Sequence, residues 1–464
     1  MKMRTSIILE KILGLNKRLL MKKLICINKT INIYKNKSIN ISGDKSLSIR
    51  FVILASLAKG KSIATNLLKS EDVISALSCI KKLGIKIKFN KNFCEITGKG
   101  LDGYSYKKNL ILDAGNSGTT ARLLMGALVR SKNTVRVTGD TSLKKRDMER
   151  IVNPLQKFGV KFLNNKKKLP IFIKGSKYLK PINYEELKGS AQCKSAVMIA
   201  ALNTEGKTKL KCVPSRDHSE LMFKNVLKIP IEIKKNKNFD LIELTGGNNF
   251  KSFNYKIPGD ISSASFFIVL TLLSKNSDLL IKKININPTR TGIISILNMM
   301  GANLKFKNIK IYQGEKVADI FVKNVKQLNA VKLDPKYNSS AIDEFLLIFL
   351  VASVSRGVSE FKNLQELNKK ESKRLDWGFK ILTMMGVKTK KIGSHGIKIW
   401  GNPNLKLNKD YEIKNYLKDH RVFMVSAIAA LSLGGNWNIH DPNSVKTSFP
   451  TFLEIIKKLG GKIN

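Results

Sequence analysis

Four short stretches set basic, hydroxyl and amide side chains at the spacing of an anion site. They are Lys45 and Ser46 with Arg50; Asn116, Ser117, Gly118 and Thr119 with Arg122; Ser190 and Gln192 with Lys194; and Asp419, His420 and Arg421. Each stands directly before an almost wholly apolar run, the pattern of a helix buried on most sides. A helix N-terminus offers unpaired N–H groups and a partial positive charge, so it favours anions before any side chain is counted. Singly, a Ser, Asn or Asp at such a point is commonly just an N-cap, and a lone Lys or Arg a solvated charge. Four together, leading helices with little polar face, point to a small molecule bearing several negative charges.

Two acidic positions stand apart. Asp343 and Glu344 fall within "AIDEFLLIFL", which reads as the interior of an apolar helix. A carboxylate there needs a partner or holds its proton, which makes it a candidate base; the other reading is a cap one turn into the run. In "KKESKR", Lys370, Glu371 and Arg374 open an amphipathic helix, where alone they would be a charged, solvent-facing first turn.

The elements that must position these residues repeat. A helical run ending in Gly and followed by a Lys-alternating strand occurs at Gly84, Gly159, Gly301, Gly386 and Gly460, with a weaker copy near Pro230. Gly suits the left-handed residue after a helix, and alternation is the period of a half-buried strand. Apolar helices interleave with these, beginning near Asp44, Asn116, Ser190, Asp260, Ser339 and Lys418. With runs such as "TVRVTG", "KLKCV" and "LLIKKI" as strands, each unit reads as βαβαββ and the chain as six α/β repeats. Pro258 and Gly259 give the best cut. The expected division is residues 1–24 as a disordered N-terminal extension, 25–43 with 260–464 as one domain, and 44–259 as the other, three repeats each.

The net charge of +50 invites a nucleic-acid reading, since Lys and Arg displace counterions from a phosphate backbone. The excess is mostly Lys, spread along the chain beside abundant Asn and Ile, as A/T-rich codons alone would produce. Basic aromatic patches, zinc-finger spacings and an RNP signature are absent, so no nucleic-acid partner is expected. No uncharged apolar run reaches the roughly 18 residues of a membrane span. Five cysteines without a CxxC spacing fit a reduced, cytoplasmic setting, and the four histidines show no metal-ligand spacing.

The ordered set "GDKSLSIR", "DAGNSGTTARLL", "GSAQCKSA", "SRDHSE", "PGDISSASF", "NPTRTG", "AIDE", "KKESKR", "DHR" and "TSFP" resembles the EPSP synthase family, its class II bacterial branch in particular, from about Ile39 to the C-terminus. The resemblance implies an inside-out α/β barrel in each of two domains closing around substrate. It also implies a monomer without metal or cofactor that transfers the enolpyruvyl group of phosphoenolpyruvate to shikimate 3-phosphate. It assigns Lys45 to phosphoenolpyruvate and the attacking hydroxyl, and Ser46 and Arg50 to the shikimate carboxylate. Asn116, Gly118 and Arg146 would line the phosphoenolpyruvate pocket. Ser190 and Ala191 would bind the shikimate phosphate with Ser215 and Arg216 nearby, and Gln192 would reach both substrates. Asp343 becomes the base with Lys370 beside it, Glu371 the acid, Arg374 and Arg421 a carboxylate clamp, and Lys446 a phosphate ligand.

The chain departs from the family pattern at Asp147, Asn368 and Lys373. The nearest alternative of the same fold is a UDP-N-acetylglucosamine enolpyruvyl transferase, whose loop Cys and Lys-Asn pair are replaced here by a Cys-free "TGDTSLKKRDMERI" and by Lys45–Ser46. RNA phosphate cyclases share related subunits but use a His nucleophile for which this chain has no motif.

Overall fold

The computed structural model describes residues 24–90, 92–163 and 167–464. The expected N-terminal extension therefore lies outside the described residues, except for Leu24, which opens the strand Leu24–Ile27. The chain forms two compact units. The terminal unit holds the described residues of Met1–Ser42 with Pro258–Lys310 and Lys316–Asn464; the inserted unit holds Gly43–Ile257 with Ile311–Glu315. The sequence placed the cuts one or two residues later and kept 311–315 with its flanking strands. The structure packs that turn in the inserted unit, where Glu315 Oε1 meets His218 Nδ1 at 2.6 Å with both side chains fully buried.

Each unit has its own apolar core and three sheets. In the inserted unit, the sheet orders are Asn254–Lys256, Lys59–Thr65, Phe93–Lys99, Lys86–Phe89; then Leu110–Asp113, Val135–Thr138, Ile171–Lys174, Lys161–Phe162; then Asn183–Glu186, Gly206–Cys212, Asp240–Gly246, Ile231–Lys235. In all three the first pair is parallel and the others antiparallel, the signature of βαβαββ. The first sheet takes its parallel strand from Asn254–Lys256, at the far end of the unit.

The terminal unit repeats the plan with chain ends as filler. Lys37–Asn40 pairs in parallel with Asp278–Asn285, and Leu24–Ile27 pairs antiparallel with Gly434–His440. The third sheet, Gly357–Phe361 with Gly396–Gly401 and Thr389–Ile392, has parallel bridges from Asn329 and Lys332 in place of a full first strand. The expected six repeats are thus present.

Each unit has three buried helices in its core: α1 (Lys45–Leu57), α2 (Gly118–Ala127) and α3 (Ala191–Leu202) in the inserted unit, and α4 (Ile261–Leu273), α5 (Phe345–Ser353) and α6 (His420–Leu433) in the terminal unit. Leu47–Leu57 of α1, all of α5 and His420–Leu431 of α6 are buried, as their largely apolar sequences require. Helices α2 and α3 touch at Gly126, where a Cβ would lie 2.3 Å from the Ala196 carbonyl oxygen. The amphipathic helices between them end as the sequence indicated: Gly84, Gly159, Gly301, Gly386 and Gly460 all have positive φ. In the Pro230 copy, Lys228 adopts the left-handed conformation instead (φ 55°). No helix of the described residues is long and apolar enough to cross a membrane.

Five of the six helices start on a side-chain cap: Asp44 accepts from Leu47 N, Ser117 from Thr120 N, Ser190 from Cys193 N, Asp260 from Ser262 N and Asp419 from Arg421 N. The fifth corrects the sequence reading. A short helix, Asn338–Ala341, ends before Ile342, and α5 begins only at Phe345. Asp343 and Glu344 therefore sit in the break, with Glu344 at the N-cap position, rather than inside a helix.

Candidate active site

In the inserted unit, hydroxyl, amide and carbonyl groups hold some of the cations around the starts of α1, α2 and α3, and carboxylates hold others. Arg50, one turn into α1 and only 3% exposed, donates from Nε to Ser219 Oγ and from Nη2 to Ser195 Oγ, both at 2.8 Å. Its Nη1 also donates to the Ser46 carbonyl at 3.1 Å. Lys45, the first residue of α1, pairs with Asp72 at 3.0 Å. At α2, Arg146 Nη2 donates to Asn116 Oδ1 (3.2 Å), while Asn116 Nδ2 donates to Asp140 Oδ2 (2.6 Å). A Cβ on Gly118 would lie 2.8 Å from Arg122 Nη1 and 3.1 Å from Arg146 Nη1, so the glycine lets two guanidinium groups approach the helix start. Arg122 donates to Gln192 Oε1 at 2.5 Å, and Gln192 Nε2 donates to Thr119 Oγ1 at 2.9 Å, joining α2 to α3.

At α3, the Ser190 N–H donates to Glu186 Oε2 (2.7 Å), and Glu186 Oε1 accepts from Arg150 Nη2 (2.8 Å). Ala191 and Gln192 follow in the first turn. Ser215 is buried, and its Oγ has no hydrogen-bond partner among the described residues. Arg216 beside it is half-buried. Lys194 is a correction. Read from the sequence as one of the basic residues of an anion site, it is fully buried and pairs with Glu220 at 2.5 Å. Burial alone would lower its pKa, but Glu220 outweighs this and raises it, so Lys194 is a core ion pair.

The terminal unit gathers acids around its cations. Arg374, 2% exposed at the start of the helix Arg374–Met384, donates from Nε to Asp419 Oδ2 (2.9 Å), from Nη2 to Asp419 Oδ1 (3.2 Å) and to Glu371 Oε2, and from Nη1 to Asp343 Oδ1 (3.2 Å). Lys370 lies 3.5 Å from the same Asp343 oxygen, and Arg421 stands 3.9 Å from Asp343 and 3.5 Å from Glu344. Burial would lower the pKa of Arg374, yet Asp419, Glu371 and Asp343 together raise it. Asp419 is the converse: burial pushes its carboxyl up, and Arg374 overrides that to hold it below the usual range. Lys446 is half-buried in the turn Pro442–Thr447, whose Thr447 hydroxyl meets His420 Nδ1 at 3.2 Å.

The terminal unit thus brings together Asp343, Glu344, Lys370, Glu371, Arg374 and Arg421, and the inserted unit joins Asn116 to Arg146 and Gln192 to Thr119 and Arg122. The reading missed Asp72, Asp140, Arg150, Glu186, Ser195, Ser219 and Ser372, which hold the others in place. Glu220, Ser219 and Asp217 lie within or beside "SRDHSE", so that stretch was a usable signal; Asp72 and Glu186 had none. Two of the three departures from the family pattern have local roles. Asp147 accepts the Glu149 N–H at 2.8 Å at the start of the helix Glu149–Lys157. Asn368 accepts from Leu375 N (2.9 Å) and donates to Asp376 (3.0 Å), pinning the start of the Arg374 helix. Nothing in the structure explains Lys373, which is exposed.

Residues 32–456 match the family model described as EPSP synthase (3-phosphoshikimate 1-carboxyvinyltransferase). A protein of Ruthia magnifica subsp. Calyptogena magnifica named 3-phosphoshikimate 1-carboxyvinyltransferase is 40% identical over 91% of this chain and 95% of its own. One of the same name from Vesicomyosocius okutanii subsp. Calyptogena okutanii is 40% identical over 96% and 99%. Among solved structures, an EPSP synthase from Acinetobacter baumannii superposes with a TM-score of 0.83 at 34% identity, covering 96% of this chain and 99% of that one. The enolpyruvyl transferase NikO from Streptomyces tendae (TM-score 0.75, 14% identity, 95% and 98% covered) shares the fold. With its six repeats and its ordered motifs, the chain belongs to the EPSP synthase (3-phosphoshikimate 1-carboxyvinyltransferase) family.

Proposed function

We propose that this protein transfers the enolpyruvyl group of phosphoenolpyruvate to the 5-hydroxyl of shikimate 3-phosphate, releasing phosphate, as a step of the shikimate pathway to chorismate and the aromatic amino acids. The observation that carries the reading is the cluster of Asp343, Lys370, Glu371, Arg374 and Arg421, two exposed-edge acids on one buried guanidinium with further cations beside them. Addition needs a base at the hydroxyl and an acid at C3 of phosphoenolpyruvate. Asp343 takes the hydroxyl proton as the oxygen bonds to C2, and Glu371 delivers a proton to C3. In the elimination Glu371 takes a proton back from C3, the C2=C3 bond re-forms, and the C2–O bond to phosphate breaks. No electrons are gained or lost, so the chemistry calls for no redox cofactor.

Lys45 and Lys370 offset charge on the attacking and leaving oxygens. Arg374 and Arg421 take the carboxylate of phosphoenolpyruvate, and Arg146 and Lys446 its phosphate, with Asn116 and Gly118 lining that pocket. Ser46 and Arg50 hold the shikimate carboxylate. Ser190, Ala191, Ser215 and Arg216 take the shikimate phosphate, and Gln192 reaches both substrates. The guanidinium groups that Ser, Asn and Gln hold in the inserted unit support these anion-binding roles. We further read the protein as a cytoplasmic monomer with no nucleic-acid or membrane partner.

Purified protein is expected to release phosphate only when phosphoenolpyruvate and shikimate 3-phosphate are supplied together. Release with UDP-N-acetylglucosamine in place of shikimate 3-phosphate, and none with the latter, would overturn the substrate assignment. A salt-sensitive nucleic-acid complex without turnover would overturn the enzymatic reading itself.

A further inference from the structure

Arg374 already engages three carboxylates through four of its donors. A guanidinium presents five N–H donors in fixed directions. Asp419 takes Nε and one side of Nη2, Glu371 also lies on Nη2, and Asp343 lies on Nη1. The two edges differ in how firmly they are held. Asp419 is fully buried, and its Oδ2 also accepts from Ser372 N (3.2 Å) and Ser372 Oγ (2.8 Å) while its Oδ1 caps α6 through Arg421 N (3.0 Å). That edge opens only by breaking a helix cap and a buried pair together. Glu371 and Asp343, at 18% and 16% side-chain exposure, sit on the edge that solvent reaches.

Charge counting points the same way. Asp343, Glu344, Glu371 and Asp419 face Lys370, Arg374 and Arg421, with His420 the other titratable group at the start of α6 and Lys446 in the turn beside it. A substrate carboxylate makes five acids around the same three cations. A carboxylate that loses its guanidinium partner and gains an anionic neighbour binds a proton more tightly.

We propose that Asp419 is a positioning residue that fixes Arg374 by its inner edge, and that a substrate carboxylate displaces Glu371 from the outer edge, so that binding itself loads Glu371 with the proton it delivers. The proton comes from solvent, converting the Glu371 carboxylate to the acid before any carbon bond changes. This rests on the reading above that Arg374 receives the carboxylate of phosphoenolpyruvate.

The test is calorimetric titration of phosphoenolpyruvate into the protein together with a shikimate 3-phosphate analogue lacking the 5-hydroxyl, which cannot be attacked. Repeating it in two buffers of different ionisation enthalpy at about pH 7.5, above the ordinary carboxylate range, counts the protons taken up. The wild type is expected to take up more protons per ligand than Glu371→Gln, and Asp343→Asn to keep that surplus. Equal uptake in wild type and Glu371→Gln, or a surplus lost only in Asp343→Asn, overturns the displacement. Asp419→Asn is expected to raise the KM for phosphoenolpyruvate at least about tenfold, with the KM for shikimate 3-phosphate unchanged. Ser372→Ala, which loosens Asp419 without removing it, should move the same KM in the same direction by a few-fold. An unchanged KM in both variants overturns the positioning role, and Ser372→Ala decides it if Asp419→Asn does not fold. Absence of any binding heat, with no phosphate release from the two natural substrates, overturns the underlying substrate reading instead.

Discussion

Arg150 with Glu186 apart, the two units surround their site arginines differently. In the inserted unit, hydroxyls, amides and carbonyls orient Arg50, Arg122 and Arg146. A neutral dipole fixes the directions of a guanidinium's donors, and a fork so held matches the geometry of a phosphate or carboxylate. In the terminal unit, three carboxylates surround Arg374. There the cation collects and orients acids, which suits proton transfer beside the anion it receives. The lesson is that a basic residue at a helix start says little until its partners are known. Lys194 makes the point from a third side, because a single buried acid, Glu220, turns it into core structure.

The contrast can be broken most forcefully at the acid. Glu371→Gln keeps size and polarity but carries no transferable proton, and is expected to cut kcat by roughly 10²–10⁴-fold with the fold intact; a near-normal kcat would dissolve the distinction between the units. Next comes Lys194→Met. It strands Glu220 in the core, and denaturant unfolding is expected to show a loss of about 3–5 kcal/mol, while the folded protein keeps its KM values. Unchanged stability with weakened substrate binding would return Lys194 to the anion site. Arg50→Lys retains charge but loses the fork held by Ser195 and Ser219, so the KM for shikimate 3-phosphate should rise by about tenfold, on the order of 1.4 kcal/mol, with kcat little changed. The smallest effect is expected for Ser215→Ala. Removing one ligand hydroxyl should raise the same KM by a few-fold, about 1 kcal/mol, and no change would remove Ser215 from the site.

Much of this was legible in the chain because it is local. Gly after an apolar helix end, alternation in the next strand and a small polar cap before an apolar run are encoded within a dozen residues, and they returned the six repeats. Lys228 shows how a repeat can keep the left-handed turn without its glycine. What stayed hidden depends on distant partners. Asp343–Glu344 read as helix interior because "AIDEFLLIFL" is continuous in pattern; the break appears only once Lys370, Arg374 and Arg421 draw the pair to the N-terminus of α5. Lys194 could not be assigned without Glu220, nor Lys45 without Asp72, 27 residues away. The packing of 311–315 in the inserted unit rests on His218 meeting Glu315 across 97 residues. The candidate site was legible as a set of residue types and motifs, while the division of work within it required the pairings.

That division is tested most directly by running the reaction in deuterium oxide and following label into C3 of the enolpyruvyl group. Addition places a solvent-derived proton on C3, and elimination can remove any of the three hydrogens then present, so the wild type is expected to yield deuterated product. Glu371→Gln should incorporate essentially none even at saturating substrate, whereas Arg50→Lys should incorporate label like the wild type once shikimate 3-phosphate is saturating. Incorporation at the wild-type rate by Glu371→Gln, or its loss in saturated Arg50→Lys, would contradict the assignment of proton transfer to the terminal unit and of shikimate binding to Arg50 in the inserted one.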